Sequence, residues 1–223
     1  MRASSLIDLI TASDLRQTAL SDIGVENDRT EDQQKNVDTV LGFVNQGVLE
    51  LYKRFPVQVN IDDVFVLSPS TSDDSVALPD TSLALIRVTD SLGEAVPVDD
   101  YNMEYLYKTK SYTGIYIKSL AINKYLVLGG IPSTGINLQF HYTTAPDNIR
   151  YTSEIPLPVI FQEALMMYVA YRGYSTIKSV TEIGDEGFAY KKKFEDSCAK
   201  IEQHTDTLFE WANPNRLHER CFV

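Results

Sequence analysis

The residues of this chain that carry chemically useful atoms are scattered, and their spacing decides what they can do. The stretch LGGIPSTG, residues 128–135, is glycine-rich but lacks the Gly-Lys-Ser/Thr ending of a phosphate-cradling loop, and reads as a hairpin turn. His204, Cys198 and the HERC run at 218–221 offer metal-ligating nitrogen and sulfur, without the tight paired spacing of a zinc site. Carboxylates come as neighbours: Asp62-Asp63, Asp73-Asp74 and Asp99-Asp100. General acid–base hydrolysis needs two carboxyl groups facing each other across a cleft. Neighbours on a strand point to opposite faces, so each pair reads as turn chemistry and solubility. These patterns hold no catalytic residues, no metal ligands and no cofactor site, and the chain reads as something other than an enzyme.

Three further groups bear on binding. Lys191, Lys192 and Lys193 are consecutive. On a helix they fan around the circumference and cannot form one phosphate-gripping patch, so they read as a solvated surface. The 13 tyrosines suggest a sugar-binding platform, but Tyr101, Tyr105, Tyr107, Tyr112, Tyr116 and Tyr125 sit in strand-like sequence, where tyrosine is favoured anyway. Arg172 lies among Val169, Tyr171 and Tyr174, and an arginine buried there needs a carboxylate partner, on the last helix or across a subunit boundary.

The totals bound the answer. With 223 residues, 43% hydrophobic and 23% charged, the chain can bury a substantial core. A formal net charge of −11 argues against a protein that grips nucleic acid through phosphates, though not against one that surrounds DNA and repels it. Cys198 and Cys221 cannot make a disulfide framework. Residues 1–15 lack the apolar core of a signal peptide, and no run is apolar enough for a membrane span; the chain reads as made and assembled in a reducing cytoplasm.

The elements come in the order helices, strands, helices. Residues 1–22 predict a short helical segment with Leu6, Ile7 and Ile10 apolar. Thr30 and Gln33 are spaced as a capping box, opening a helix whose stripe is Val37, Val40, Leu41, Val44, Val48, Leu51, Tyr52 and Phe55, with Asn45 off it and Pro56 as the stop. From 57 to 150, short β-branched and aromatic runs alternate with turns: QVNI, DVFVL, LALIRVTD, GIYIKSL, KYLVLGG and GINLQFHYTT. In the last, Ile136, Leu138, Phe140 and Tyr142 alternate with Asn137, Gln139 and His141, predicting a half-buried antiparallel strand. A helix then opens at Pro158, apolar on nearly every side and therefore buried among other helices. A last helix runs from about Glu186 to Thr205, with Phe188, Phe194, Cys198, Ile201 and Leu208 on one face. The fold class is α+β: a helical bundle (1–56 and 151–205) with an inserted antiparallel β-sandwich or partly open β-barrel (57–150) and an extended C-terminal arm (206–223).

The stretch LPVIFQEALMMYVAYRGYS, residues 157–175, resembles the signature helix of bacteriophage head-to-tail adaptor proteins, on Leu157, Pro158, Phe161, Glu163, Ala164, Tyr168, Ala170, Tyr171, Arg172 and Tyr174. VDTVLGFVNQGVLELYKRFP resembles that family's long amphipathic helix. ALPDTSLALIRV and LQFHYTTAPDNI resemble two of its strands, and their order along the chain is the specific feature. The closest analogy is with adaptors of short-tailed phages.

This resemblance implies a structural virion protein of the neck, a ring of about twelve copies beneath the portal, joining capsid to tail and lining the DNA channel. Its partners would be itself, the portal protein, tail or nozzle proteins, and DNA passing without specific binding during ejection; no membrane is involved. Phe161, Glu163, Tyr168, Tyr171, Arg172 and Tyr174 would serve the bundle or a subunit interface. Phe209, Trp211, Arg216, Leu217, Arg220 and Phe222 have the aromatic-plus-arginine character of an interface and would meet the portal. The alternatives are another neck or tail-completion protein, or a carbohydrate-binding or cell-wall-degrading module.

Overall fold

The computed structural model describes residues 1–66, 75–99, 114–129, 131, 134–177 and 185–210, with 176–177, 185 and 204–210 as backbone alone. Among these the chain is α+β, with four α-helices: α1 (Ala3–Ser13), α2 (Glu31–Arg54), α3 (Gln162–Ile177) and α4 (Asp185–Glu210). Between α2 and α3 come seven strands: β1 (Val59–Val66), β2 (Val76–Ala77), β3 (Ser82–Asp90), β4 (Ala95–Val96), β5 (Ile115–Ala121), β6 (Lys124–Gly129) and β7 (Ile136–Thr144). Residues up to Leu51 and from Asp147 onward form one compact unit, and Tyr52–Pro146 form the other.

In the helical unit, α2 begins where its capping box closes. The Thr30 amide donates to Gln33 Oε1 at 3.0 Å, and the Gln33 amide to Thr30 Oγ1 at 3.3 Å. Its predicted stripe is buried at Val37, Val40, Val44, Val48, Leu51, Tyr52 and Phe55, and Phe43 joins it. α1 has no capping side chain; its free Ala3 and Ser4 amides donate instead to the carbonyls of Ser153 and Tyr151, each at 2.9 Å. Leu6, Ile7 and Ile10 are fully buried. On α4 the buried row is Phe194, Cys198 and Ile201, but Phe188 is 56% exposed. Six residues separate it from Phe194, which turns it about 120° off the stripe; it does not belong to the face predicted for it.

Asn45 has a role that its place off the stripe conceals. Its Nδ2 donates to the Ile149 carbonyl at 3.1 Å, and its Oδ1 accepts from the Ile149 amide at 2.7 Å. One side chain thus satisfies both backbone groups of a buried residue that no strand or helix pairs. Asn45→Ala is expected to cost about 1–3 kcal/mol in denaturant unfolding, the penalty for leaving buried polar groups unmet.

The strands form two antiparallel sheets, ordered β1-β7-β3-β4 and β2-β6-β5. Val66, Val88, Leu138, Phe140 and Tyr142 of the first pack in one core with Ile117, Tyr125 and Val127 of the second. That is the sandwich alternative, and no closed barrel is present among the described residues. Four expectations need correction. QVNI and DVFVL are one continuous strand, β1. Asp62 and Asp63 lie inside it, not in a turn: Tyr142 donates its hydroxyl to Asp62 at 2.8 Å and Gln139 its amide to Asp63 at 3.0 Å. LGGIPSTG is not a hairpin, because β6 and β7 belong to different sheets; Gly129 (φ 108°) and Gly135 (φ 78°) turn the chain from one to the other. β7 is not half-buried: as a central strand it buries His141 and Thr143 on its polar face as well.

Candidate assembly interface

The helix α3 is prepared by Pro158, which is extended (ψ 153°) and precedes a 3-10 turn, Val159–Phe161; the α-helix itself starts at Gln162. Pro158 therefore stands outside the helix and not at its first position. The apolar surround predicted for this helix divides in two. Phe161, Ala164, Leu165, Val169 and Ala170 are buried, while Met166, Met167, Tyr168, Tyr171, Arg172 and Tyr174 are half-buried and Glu163 is exposed. Gly47 lets α2 approach the buried side: a Cβ there would lie 2.6 Å from Leu165 Cδ1 and 2.8 Å from the Tyr168 ring.

Tyr168 and Arg172, one turn apart, act together. The guanidinium lies 5.8 Å from the centre of the Phe43 ring of α2, and its charge acts on the Tyr168 phenol. Burial raises the Tyr168 pKa, with the Glu50 carboxylate adding to it, and the Arg172 charge opposes that rise. The Tyr168 ring meets Phe194 of α4 edge-on at 5.3 Å and Tyr171 at 6.1 Å. Arg172 is thus half-buried, with its charge spread over a phenol and an aromatic face.

Tyr174 belongs to a second cluster. It stacks on Tyr190 of α4 at 5.5 Å with planes 11° apart, and Tyr190 donates its hydroxyl to Asp14 Oδ1 at 3.3 Å. Lys193 Nζ sits 4.9 Å over the Tyr190 ring, and Lys191 lies 5.9 Å from that of Tyr171, so two of the three consecutive lysines cover tyrosines. Burial first, then the Asp14 charge and hydrogen bond, push the Tyr190 phenol up to about 12. A raised phenol pKa stabilises the fold below the unfolded value of 10 and loses that contribution between pH 10 and about 12. Tyr190→Phe is expected to flatten the stability profile over that window, read by denaturant unfolding with the phenolate absorbance followed alongside.

The structure brings Tyr168, Tyr171 and Arg172 together, puts Tyr174 with Tyr190 and Asp14, and leaves Phe161 in the core. The side chain of Phe209, which falls within the helical span of α4, lies outside the described residues, as do Trp211, Arg216, Leu217, Arg220 and Phe222. Tyr101, Tyr105, Tyr107 and Tyr112 lie outside them too, whereas Tyr116 and Tyr125 are buried in the sandwich. Sequence reasoning overlooked Val159 and Ile160, which are 77% and 50% exposed beside Pro158. Two aliphatics between a proline and a helix start were the available signal. Among the described residues no cluster of His, Cys, Asp or Glu could hold a metal, and no helix is long and apolar enough to cross a membrane.

The arrangement is one of packing and half-exposed aromatic surface, and a family comparison says what kind of protein carries it. The family model described as SU10 adaptor protein matches residues 10–218. The chain belongs to the SU10 adaptor protein family. It is therefore a structural adaptor of the bacteriophage virion, and the family's part in joining virion components implies contacts with portal and tail proteins. A comparison with curated proteins finds no match.

Proposed function

We propose that this adaptor assembles as a closed ring of about twelve copies beneath the portal, joins the capsid to the tail at the virion neck and surrounds the DNA channel. The observation that carries the reading is the family match over residues 10–218, which spans both compact units. The half-buried side chains Met166, Met167 and Tyr171 of α3 fit a subunit contact: they are large and only partly covered, and a second surface can bury the rest. Trp211, Arg216, Leu217, Arg220 and Phe222, with Phe209, form the segment proposed to dock on the portal. The net charge of −11 suits a channel wall that repels DNA and lets it slide during ejection.

The test is native mass of the full-length protein, alone and mixed with the portal ring of the same virus. A species of ring size that requires the portal supports the reading, and Arg216→Ala with Arg220→Ala then weakens that complex. A protein that leaves the portal unbound at every ratio rejects it. Saturable binding to glycans in its place favours the carbohydrate-module alternative.

A further inference from the structure

His141 occupies an unusual place for an ionisable group. It lies in β7, the second strand of the four-stranded sheet, and is 7% exposed on the face turned away from the sandwich core. The register sets Ile61 of β1 opposite it on one side and Arg87 of β3 on the other. Its Nε2 is 3.2 Å from Thr89 Oγ1, a contact that the neutral ring satisfies in either tautomer. On this face the charged groups from the flanking strands, among the described residues, are Arg87 and Asp63. Asp63 stands opposite Gln139, two residues along β7, and accepts that residue's side-chain amide. The nearest cross-strand charge to His141 is therefore positive.

We propose that His141 is an acid-sensitive catch in the β unit. Neutral, it links β7 to β3 through Thr89; protonated, it places a second positive charge opposite Arg87 and loosens the pairing of these two strands. Like charges directly opposite in a sheet are destabilising, and a desolvated cation with no facing anion is more so. Burial, and after it the Arg87 charge, hold the imidazole below the ordinary histidine range. The direction of the effect follows. The unfolded chain takes up the proton first as pH falls, so stability from the neutral ring is complete above the unfolded pKa of 6.5 and drains away below it. Carboxylates ordinarily titrate lower and an α-amino group higher, so the histidines dominate the window between about pH 7 and pH 5.5.

The experiment uses the full chain and follows hydrogen exchange of β3 and β7 amides, corrected for intrinsic rates, across that window. The protein as it stands is expected to lose protection as pH falls, and His141→Gln, which keeps a hydrogen-bonding group toward Thr89, is expected to hold its protection constant. Parallel losses in both proteins overturn the proposal, since they would place the effect on His204 or His218. A second readout stands even if the glutamine variant folds poorly: the C2 proton of His141, followed by NMR. It is expected to titrate below the ordinary histidine value of 6.5 and to move upward in Arg87→Met. A midpoint at or above that value that Arg87→Met leaves in place overturns the proposal as well.

Discussion

Phe140→Ala is expected to remove about 3–5 kcal/mol from the stability of the β unit. Phe140 is fully buried in β7 and meets Tyr125 of the opposite sheet with ring centres 6.0 Å apart. It is therefore a point where the two sheets touch, and truncation leaves a void lined from both sides. Rigid strands cannot close over such a void, which is why the cost exceeds the lost transfer energy alone. Amide exchange resolved by element is the suitable measurement. β3, β5, β6 and β7 should lose protection together, while the buried amides of α1 and α4 keep theirs if the two units unfold separately. A loss confined to β7 would show that the sandwich core does not behave cooperatively.

Leu165→Ala comes next, with an expected cost of about 2–5 kcal/mol in the helical unit. Leu165 is 1% exposed and fills the space that Gly47 leaves on α2. The pair allows a sharper test than either residue alone. In the native background a methyl at position 47 must displace Leu165 and the Tyr168 ring, so Gly47→Ala is expected to destabilise despite the higher helix propensity of alanine. With Leu165→Ala present only the Tyr168 ring, 2.8 Å away, still opposes the same methyl, and the cost of Gly47→Ala should shrink. A double-mutant cycle by urea unfolding reads this directly; strictly additive effects would mean that the helices part without feeling one another.

What was legible in the sequence is what local chemistry determines. The capping box at Thr30 and Gln33 needs only residues three apart, and the α2 stripe needs only its own period, so both follow from short windows. The α+β class and the sandwich follow from texture over longer ones. Most of the departures depend on partners far along the chain. Asp62 and Asp63 interrupt an apolar run and look like a turn, because their donors, Tyr142 and Gln139, arrive with a strand 80 and 76 residues later. His141 and Thr143 look solvent-facing because nothing local says that β7 lies between two other strands. Asn45 looks like an idle polar residue until Ile149 returns to it. Phe188 is a different case: six residues before Phe194, it stands off the helical period of that face. For the residues proposed to serve assembly, the sequence pointed to α3 but could not tell which of its side chains pack and which stay half-exposed. That division is set by where α1, α2 and α4 lie.

The clamp between Asn45 and Ile149 also orders events in time. It joins residues 104 apart, so an unfolded insertion would have to be looped before the helical unit could close. Within the insertion, however, the first and last strands are direct neighbours, with Val59 paired to Thr143. Once the sheet has formed, only short tethers separate its ends from Asn45 and Ile149, and the entropic cost of closure drops by about 1–2 kcal/mol. Prior folding of the sandwich thus favours completion of the bundle, and a ribosome releases those strands before it releases α3 and α4. The order of synthesis and the favourable order of folding coincide.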